Sequence, residues 1–374
     1  MRPCLKPALR RAWRDRSTLQ FGVGRAHTSL LTAAEPEAAF LDLLDGTREL
    51  PALADEAARL GIPRERVDGL LAELGAASVL DDTTAHRDLL ELPPPELARL
   101  QPDLAALSLA HPAPGSAPAL LLARRRARVQ VRGAGRIGAA IGAVLAAAGV
   151  GQVEVLDGGR VREQDTSPCG LLVGDTGRYR AAAARAAVRR AAPGRPDDRS
   201  GNGNGNGSED GDRAPDLVVV APRGDSAGLL ADPEVGRELL TSGIPHLYAG
   251  VLETLGTVGP FVLPGSTGCG RCLSLHRADE DPAWPRLLAQ HCSGRGSGPG
   301  SGGSGGSAPC DTALATTVAG LAALHCLMFL DGGSPPSLGG WAEVSMVDGS
   351  MRRRPLDPHP DCGCRWADRC SGGQ

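Results

Sequence analysis

The chain has 374 residues and a mass of 38.4 kDa, with Lys+Arg 40 against Asp+Glu 43 and a formal net charge of −3. At roughly 150 residues per domain that length predicts two domains, and the near-neutral charge gives no global pull toward nucleic acid or an anionic membrane. Lys6 is the only lysine, which excludes a phosphate-binding or Schiff-base lysine anywhere beyond that position.

The opening Met1-Arg-Pro-Cys-Leu-Lys-Pro7 has no apolar core of a signal peptide. The longest apolar run, Leu314 to Leu330, carries Thr316, Thr317 and His325; it is short for a bilayer span and reads as a buried helix. The expectation is a cytoplasmic protein with no membrane partner. In that compartment ten cysteines point to metal ligands or buried thiols more than to disulfides.

In chain order, Leu19, Phe21 and Val23 alternate and predict a short strand, followed by a second around Ser29 to Thr32 that includes Leu30. Glu35-Pro36 opens a helix with Phe40, Leu43 and Leu44 on one side. Thr47 is a candidate N-cap for a second helix, and Pro63 opens a third with Val67, Leu70, Leu71 and Leu74 at helical spacing. Val79-Leu80 reads as a wing strand. This is the order of a winged helix-turn-helix over residues 1–85, and the mixed charge of its third helix weighs against DNA. A Pro-rich stretch, 86–125, reads as a linker. Residues 194–213 and 293–307, dominated by Gly, Ser and Asn, read as flexible insertions.

Residues 126–374 open with the apolar strand Ala127 to Val131, then Gly133-Ala-Gly135-Arg-Ile-Gly138, an Ala-rich helix, and a second strand ending at Asp157. In a dinucleotide fold Gly133 makes the tight turn, Gly135 admits a phosphate to the backbone, Gly138 lets the helix pack closely, and Asp157 takes a ribose hydroxyl. The bland alternative is a strand-to-helix turn kept for packing. Asp216 to Val220 predicts a third buried strand, Leu247 to Val262 further strands, and Asp348-Gly349 a hairpin turn.

Cys269-Gly-Arg-Cys272 and Cys362-Gly-Cys364 are two tight knuckles that together offer four thiolates for tetrahedral zinc. Four sulfurs close the coordination shell, so such a zinc is structural. The alternatives are reduced thiols or a redox pair. Cys326 reads as core. Cys169, Cys292 and Cys310 are weak nucleophile candidates without a neighbouring base, and the histidines show no metal-ligand spacing.

The glycine turn, the acid at Asp157, the segment Asp175-Thr-Gly177-Arg-Tyr-Arg-Ala181, the strand Asp216 to Ala221 and the paired cysteine knuckles together resemble the ThiF / ubiquitin-activating adenylation family over about residues 126–374. The first 85 residues resemble a PqqD-like peptide-recognition winged helix, and the whole is similar to ThiF-like leader-peptide-binding proteins of thiazole/oxazole-modified microcin (TOMM) clusters, down to the ending His359-Pro-Asp-Cys-Gly-Cys364. The resemblance implies an α/β protein: a winged helix plus a Rossmann-like doubly wound sheet with a structural zinc. It implies that a precursor leader is taken as an added strand and presented to a separate YcaO-type cyclodehydratase. Leu19, Phe21, Val23, Leu30, Val67, Leu70 and Leu71 are the leader-binding candidates.

Active adenylating relatives keep an Asn-Arg-Gln segment, a lysine and a magnesium-binding Asp. Here the first region reads Glu163-Gln-Asp-Thr-Ser-Pro-Cys-Gly170, the lysine position matches Arg180, and the Asp position falls at or near Arg223. The expectation is a carrier whose ATP site (Gly133, Gly135, Gly138, Asp157, Arg180) is weak or vestigial. The alternative is an adenylyltransferase using Arg180 and Asp225 to activate a peptide or sulfur-carrier C-terminus; an NAD(P) oxidoreductase ranks below both. The resemblance also allows a homodimer.

Overall fold

A computed structural model describes residues 1–24, 29–32, 35–193, 213–223, 233–292 and 310–365. The chain divides into two compact units, Met1–Ala123 and Arg124–Gln374. The proposed insertions 194–213 and 293–307 lie, apart from Arg213, outside the described residues, as does Asp225.

The first unit begins with β1 (Pro3–Leu5), β2 (Arg11–Trp13), β3 (Thr18–Phe21) and β4 (Ser29–Thr32), followed by α1 (Glu35–Asp42), α2 (Leu50–Arg59), α3 (Arg64–Ala76) and β5 (Leu80–Asp82). β5 pairs with β1, and β2, β3 and β4 form an antiparallel sheet in that order. Leu19, Phe21 and Leu31 close one core with Phe40, Leu53, Val67, Leu70 and Leu74. Thr47 does not cap α2. That helix starts three residues later, and the Asp45 carboxylate instead accepts the Thr47 N–H at 2.8 Å, the local turn that aspartate favours before a helix.

The stretch expected to be a linker is folded. Beyond a 3-10 run at Thr83–Glu91 come α4 (Pro94–Ala110) and α5 (Ser116–Arg126). Pro94 and Pro95 stand in the first turn of α4, where the missing N–H costs nothing. The widely spaced leucines Leu89, Leu100, Leu107 and Leu121 find one another and form a second small core. Lys6 is buried, and its ammonium donates to the Ser108 carbonyl at 2.6 Å and the Pro112 carbonyl at 3.2 Å. It thus satisfies open carbonyls at the end of α4, while burial pulls its pKa down.

The second unit runs β6 (Arg128–Arg132), α6 (Gly138–Ala147), β7 (Gln152–Leu156), α7 (Arg180–Ala191), β8 (Leu217–Val220), α8 (Pro233–Thr241), β9 (His246–Leu252), β10 (Leu255–Val262), α9 (Gly270–Glu280), α10 (Trp284–Cys292), α11 (Thr312–Leu330), β11 (Gly340–Ser345) and β12 (Met351–Pro355). Its seven strands lie in the order β12-β11-β10-β9-β8-β6-β7. The β7, β6, β8 and β9 pairings are parallel and the remainder antiparallel. β8 is buried throughout, as a parallel strand covered on both faces should be.

α11 is long and apolar enough to cross a membrane by length and composition. Here Leu314, Ala315, Val318, Ala319, Ala322, Ala323 and Cys326 sit in the main core, so the residues read as a buried helix form one. Its start is capped by Asp311, which accepts from the N–H groups of Ala313 and Leu314. Just past its end Asp331 makes a two-pronged pair with Arg124, at 2.7 and 2.5 Å, both side chains at most 8% exposed. Removing either partner leaves a buried charge, a loss of about 3–5 kcal/mol.

Candidate functional site

The turn after β6 is built as its glycines require. Gly133 has φ +117°, and a Cβ there would lie 2.0 Å from the Ala221 carbonyl oxygen. A Cβ on Gly138 would lie 2.0 Å from the Gly133 carbonyl oxygen. Both obstacles are backbone, so both positions admit only glycine. Gly135 differs: a Cβ there would meet the Cγ of Arg223 at 2.9 Å. The face of the turn on which a phosphate would approach is occupied by an arginine stem.

The charged groups around that turn are paired with one another. Asp157 Oδ2 accepts the Ala134 N–H at 2.7 Å, and its Oδ1 accepts from Arg180 Nε at 2.8 Å. Arg180 also donates to the carbonyls of Arg160 and Gly158. Asp165, 4% exposed, accepts the Arg162 N–H at 2.9 Å and Arg223 Nε at 3.0 Å, with Arg180 Nη1 at 3.7 Å. Two carboxylates thus face two guanidiniums. A divalent cation entering here finds both acids already claimed and two positive groups beside it.

Asp165 and Arg136 are the residues that sequence reasoning passed over. Arg136 donates to the Gln164 carbonyl at 2.8 Å and the Cys310 carbonyl at 2.7 Å, tying the turn to the 163–165 loop and to the approach to α11. The acid was visible within Glu163-Gln-Asp165; its partner lies 58 residues on, which no local pattern shows.

The four knuckle cysteines converge. Cys269 Sγ lies 3.8 Å from Cys272 Sγ and 3.6 Å from Cys362 Sγ, and Cys272 Sγ lies 3.5 Å from Cys364 Sγ. Tetrahedral zinc with Zn–S bonds of about 2.3 Å needs sulfurs about 3.8 Å apart, so this donor set fits a metal ion and could hold one. Cys269 caps the N-terminus of α9 and Cys272 lies in its first turn, where the helix dipole favours thiolates. The Cys272 thiol is pulled down, first by the hydrogen bond from Cys269, whose own pKa is pushed up by the same contact. Burial lifts Cys364 to about 12. Ionising all four sulfurs together requires a cation between them.

Three further donors meet beside this cluster: His276, Asp279 and His359. The hydrogen-bond pattern assigns them a different task. The Asp361 N–H donates to His359 Nδ1 at 3.1 Å, so Nε2 carries the proton and gives it to Asp279 at 2.9 Å. His276 Nε2 donates to the Asp357 carbonyl at 2.9 Å. A neutral His359 then has neither nitrogen left for a metal. These side chains form a hydrogen-bonded collar around the second knuckle, the kind of support that orients ligands.

The leader-binding candidates are brought together, but mostly as core. Leu19, Phe21, Val67 and Leu70 are buried, and Leu71 packs partly against the same core. Val23 lies past the end of β3 and is 82% exposed. The Leu30 backbone is in β4; its side chain is outside the described residues. Arg66 on α3 is paired with Glu37 and Glu73, so its charge is already neutralised. Among the other thiols Cys169 is exposed, Cys326 is buried, and burial raises Cys310; the Cys292 side chain and Cys370 lie outside the described residues.

The ThiF family model matches residues 117–365, and the chain belongs to the ThiF family. A search of curated proteins found no significant match. Among solved structures, E. coli MccB with ATP is 15% identical with TM-score 0.65, covering 97% of this chain and 99% of that one. The microcin C7 biosynthetic enzyme MccB in complex with N-formylated MccA matches over the same shares at 15% identity and TM-score 0.66. PaaA is 16% identical with TM-score 0.66, covering 94% and 99%. At these identities the likeness establishes the fold: an α/β protein with a large, partly parallel sheet.

Proposed function

We propose that this chain is a cytoplasmic leader-peptide-binding protein of ribosomally made peptide natural-product biosynthesis, of the TOMM type, that presents a precursor to a separate YcaO-type cyclodehydratase. Residues 1–85 act as a winged-helix peptide clamp and the ThiF-type unit as its platform, with one structural zinc on Cys269, Cys272, Cys362 and Cys364. The observation that carries the carrier reading is the Arg223 side chain, stacked on Gly135 and bonded to Asp165. An adenylating site needs that space for phosphates and an acid for a metal where Arg223 stands. The solved complex of MccB with MccA supports a peptide as the partner.

The peptide adds as a strand to an open edge of the β2-β3-β4 sheet, through main-chain hydrogen bonds. The core positions of Leu19, Phe21, Val67 and Leu70 then shape the sheet and do not touch the peptide. The reading predicts saturable binding of the precursor leader by fluorescence anisotropy, and no ATP–pyrophosphate exchange with that peptide present. Exchange above the no-peptide background would move the assignment to the second reading, an ATP-dependent adenylyltransferase using Asp157, Arg180 and Asp225. The intact backbone of the Gly133–Gly138 turn favours that second reading.

A further inference from the structure

Away from the glycine turn, and bordering the collar of the cysteine cluster at His276 and Asp357, the second unit holds a cavity of about 540 Å3 between α9 and the β11–β12 hairpin. That size suits a small ligand or the end of a chain. Leu273, Trp341, Pro355 and Leu356 supply apolar wall, and Arg277 and Arg354 share the polar wall with Glu280, Glu343 and Asp357. Arg277 is half-buried; its guanidinium carbon lies 4.7 Å from the centre of the Trp284 ring. Among the described residues its side chain makes no hydrogen bond or ion pair, while its carbonyl accepts the Asp281 N–H at 2.8 Å. Its nearest acids do not serve it. Glu343 accepts from Trp341 Nε1 and Arg354 Nε, both at 3.0 Å, and Glu280 is exposed. Burial pulls the Arg277 pKa down, and the nearby Glu343 and Glu280 carboxylates offset part of that.

A half-buried guanidinium keeps five donors in a planar fork that matches a carboxylate two-to-two. An anion arriving with its own apolar body exchanges that fork's water contacts for a two-pronged pair and covers apolar wall at the same time. A bare inorganic anion would leave the indole and leucine wall uncovered. We propose that this cavity binds an organic carboxylate carried on an apolar body, the carboxylate on Arg277 and the body against Trp341, Leu273 and Leu356. The chemistry is shared by a free small acid and by the carboxyl end of a peptide.

The test titrates the full-length, zinc-loaded chain with N-acetylphenylalanine, its amide, a short peptide ending in Phe with free or amidated terminus, and inorganic phosphate, followed by calorimetry. The acid is expected to bind saturably and the amide at least about tenfold more weakly. The Arg277→Gln variant should erase the acid–amide difference, and Arg277→Lys, which keeps charge without the fork, should retain part of it. Zinc content and thermal midpoint serve as fold controls for both variants. Tighter binding of the free-ended peptide than of the acid assigns the site to a chain end; the reverse assigns it to a small metabolite. Equal binding of acid and amide, no saturable binding, an unchanged Arg277→Gln variant, or displacement of the acid by equimolar phosphate would each overturn the carboxylate assignment.

Discussion

Two corners of the second unit began as equally suggestive motifs and folded into opposite situations. At the cysteine knuckles the four sulfurs lie within 4.8 Å of one another, three of the pairs at 3.5–3.8 Å, and their ionisation is mutually unfavourable unless a cation joins them. At the glycine turn the backbone is equally exacting, yet Asp157, Asp165, Arg180 and Arg223 already neutralise one another. A site that needs its ligand leaves charge uncompensated. A site that has settled its own charges offers a ligand little gain. Motif spacing reports the backbone of both corners and the charge balance of neither.

Breaking the first corner should have the largest effect. Purified reduced protein is expected to carry about one zinc per chain, and Cys272→Ser should lose it. Metal removal by a strong chelator should then destabilise the second unit by on the order of 10 kcal/mol, read as loss of its cooperative thermal transition. A metal-free preparation that melts unchanged after chelation would remove the distinction between the corners. At the second corner Gly138→Ala should cost about 3–5 kcal/mol, because the obstructing atom is the Gly133 carbonyl oxygen. Gly135→Ala should cost less, about 1–2 kcal/mol, because the obstructing Arg223 Cγ is side chain and can shift, at the expense of its bond to Asp165. Equal penalties in denaturant unfolding would mean that the Arg223 stem does not yield.

Much of the second unit was legible because its signals are local. A strand, three glycines, a helix and an acid stand within thirty residues, and β8 is an unbroken apolar run while β6 and β7 alternate Val with polar residues, patterns that need no partner to be recognised. The knuckles were legible as pairs. The four-residue charge lock was not, since Arg223 and Asp165 meet only when β8 lies beside β6. The 86–125 stretch misled for a different reason: of its prolines Pro94 and Pro95 fall at a helix start, where they are harmless, and even Pro102 is accommodated inside α4, whose Leu97, Leu100, Leu104 and Leu107 keep a helical spacing that the prolines masked. The alternation of Leu19 and Phe21 was sound as strand evidence. It was a poor guide to peptide contacts, because the side of a strand that alternates apolar is the side the core takes.

A smaller effect tests whether the lock closes the nucleotide cradle. Arg223→Ala removes the stem over Gly135 and one partner of Asp165. Arg180 remains 3.7 Å from that acid, so the fold should survive. Affinity for an ATP analogue, followed by fluorescence, should rise about tenfold, or about 1.4 kcal/mol. A fall would show that Arg223 itself grips phosphate, which would join the glycine turn to the class of sites awaiting a ligand.

The smallest effect distinguishes the two edges of the first unit's sheet. In an antiparallel ladder, N–H groups point alternately to one neighbour and the other. Arg14 N–H and Gly22 N–H bond across β2 and β3, which places Ala12 opposite Gln20 in a bonded pair and turns the Arg11 and Trp13 N–H groups outward. Gln20 is thereby spent on β2, so Leu19 and Phe21 bond to Leu31 and Ser29, and the Leu30 and Thr32 N–H groups face the outer edge of β4. Proline at an outward position deletes one donor and spares the internal ladder. Leu30→Pro should therefore weaken leader binding by about 0.5–1.5 kcal/mol, a few-fold in anisotropy, while Trp13→Pro should not, if β4 receives the peptide. The reverse result assigns the peptide to β2. If both variants bind as tightly as the parent chain, the leader is not held as an added strand, and the clamp reading of this unit fails while the zinc and the charge lock stand.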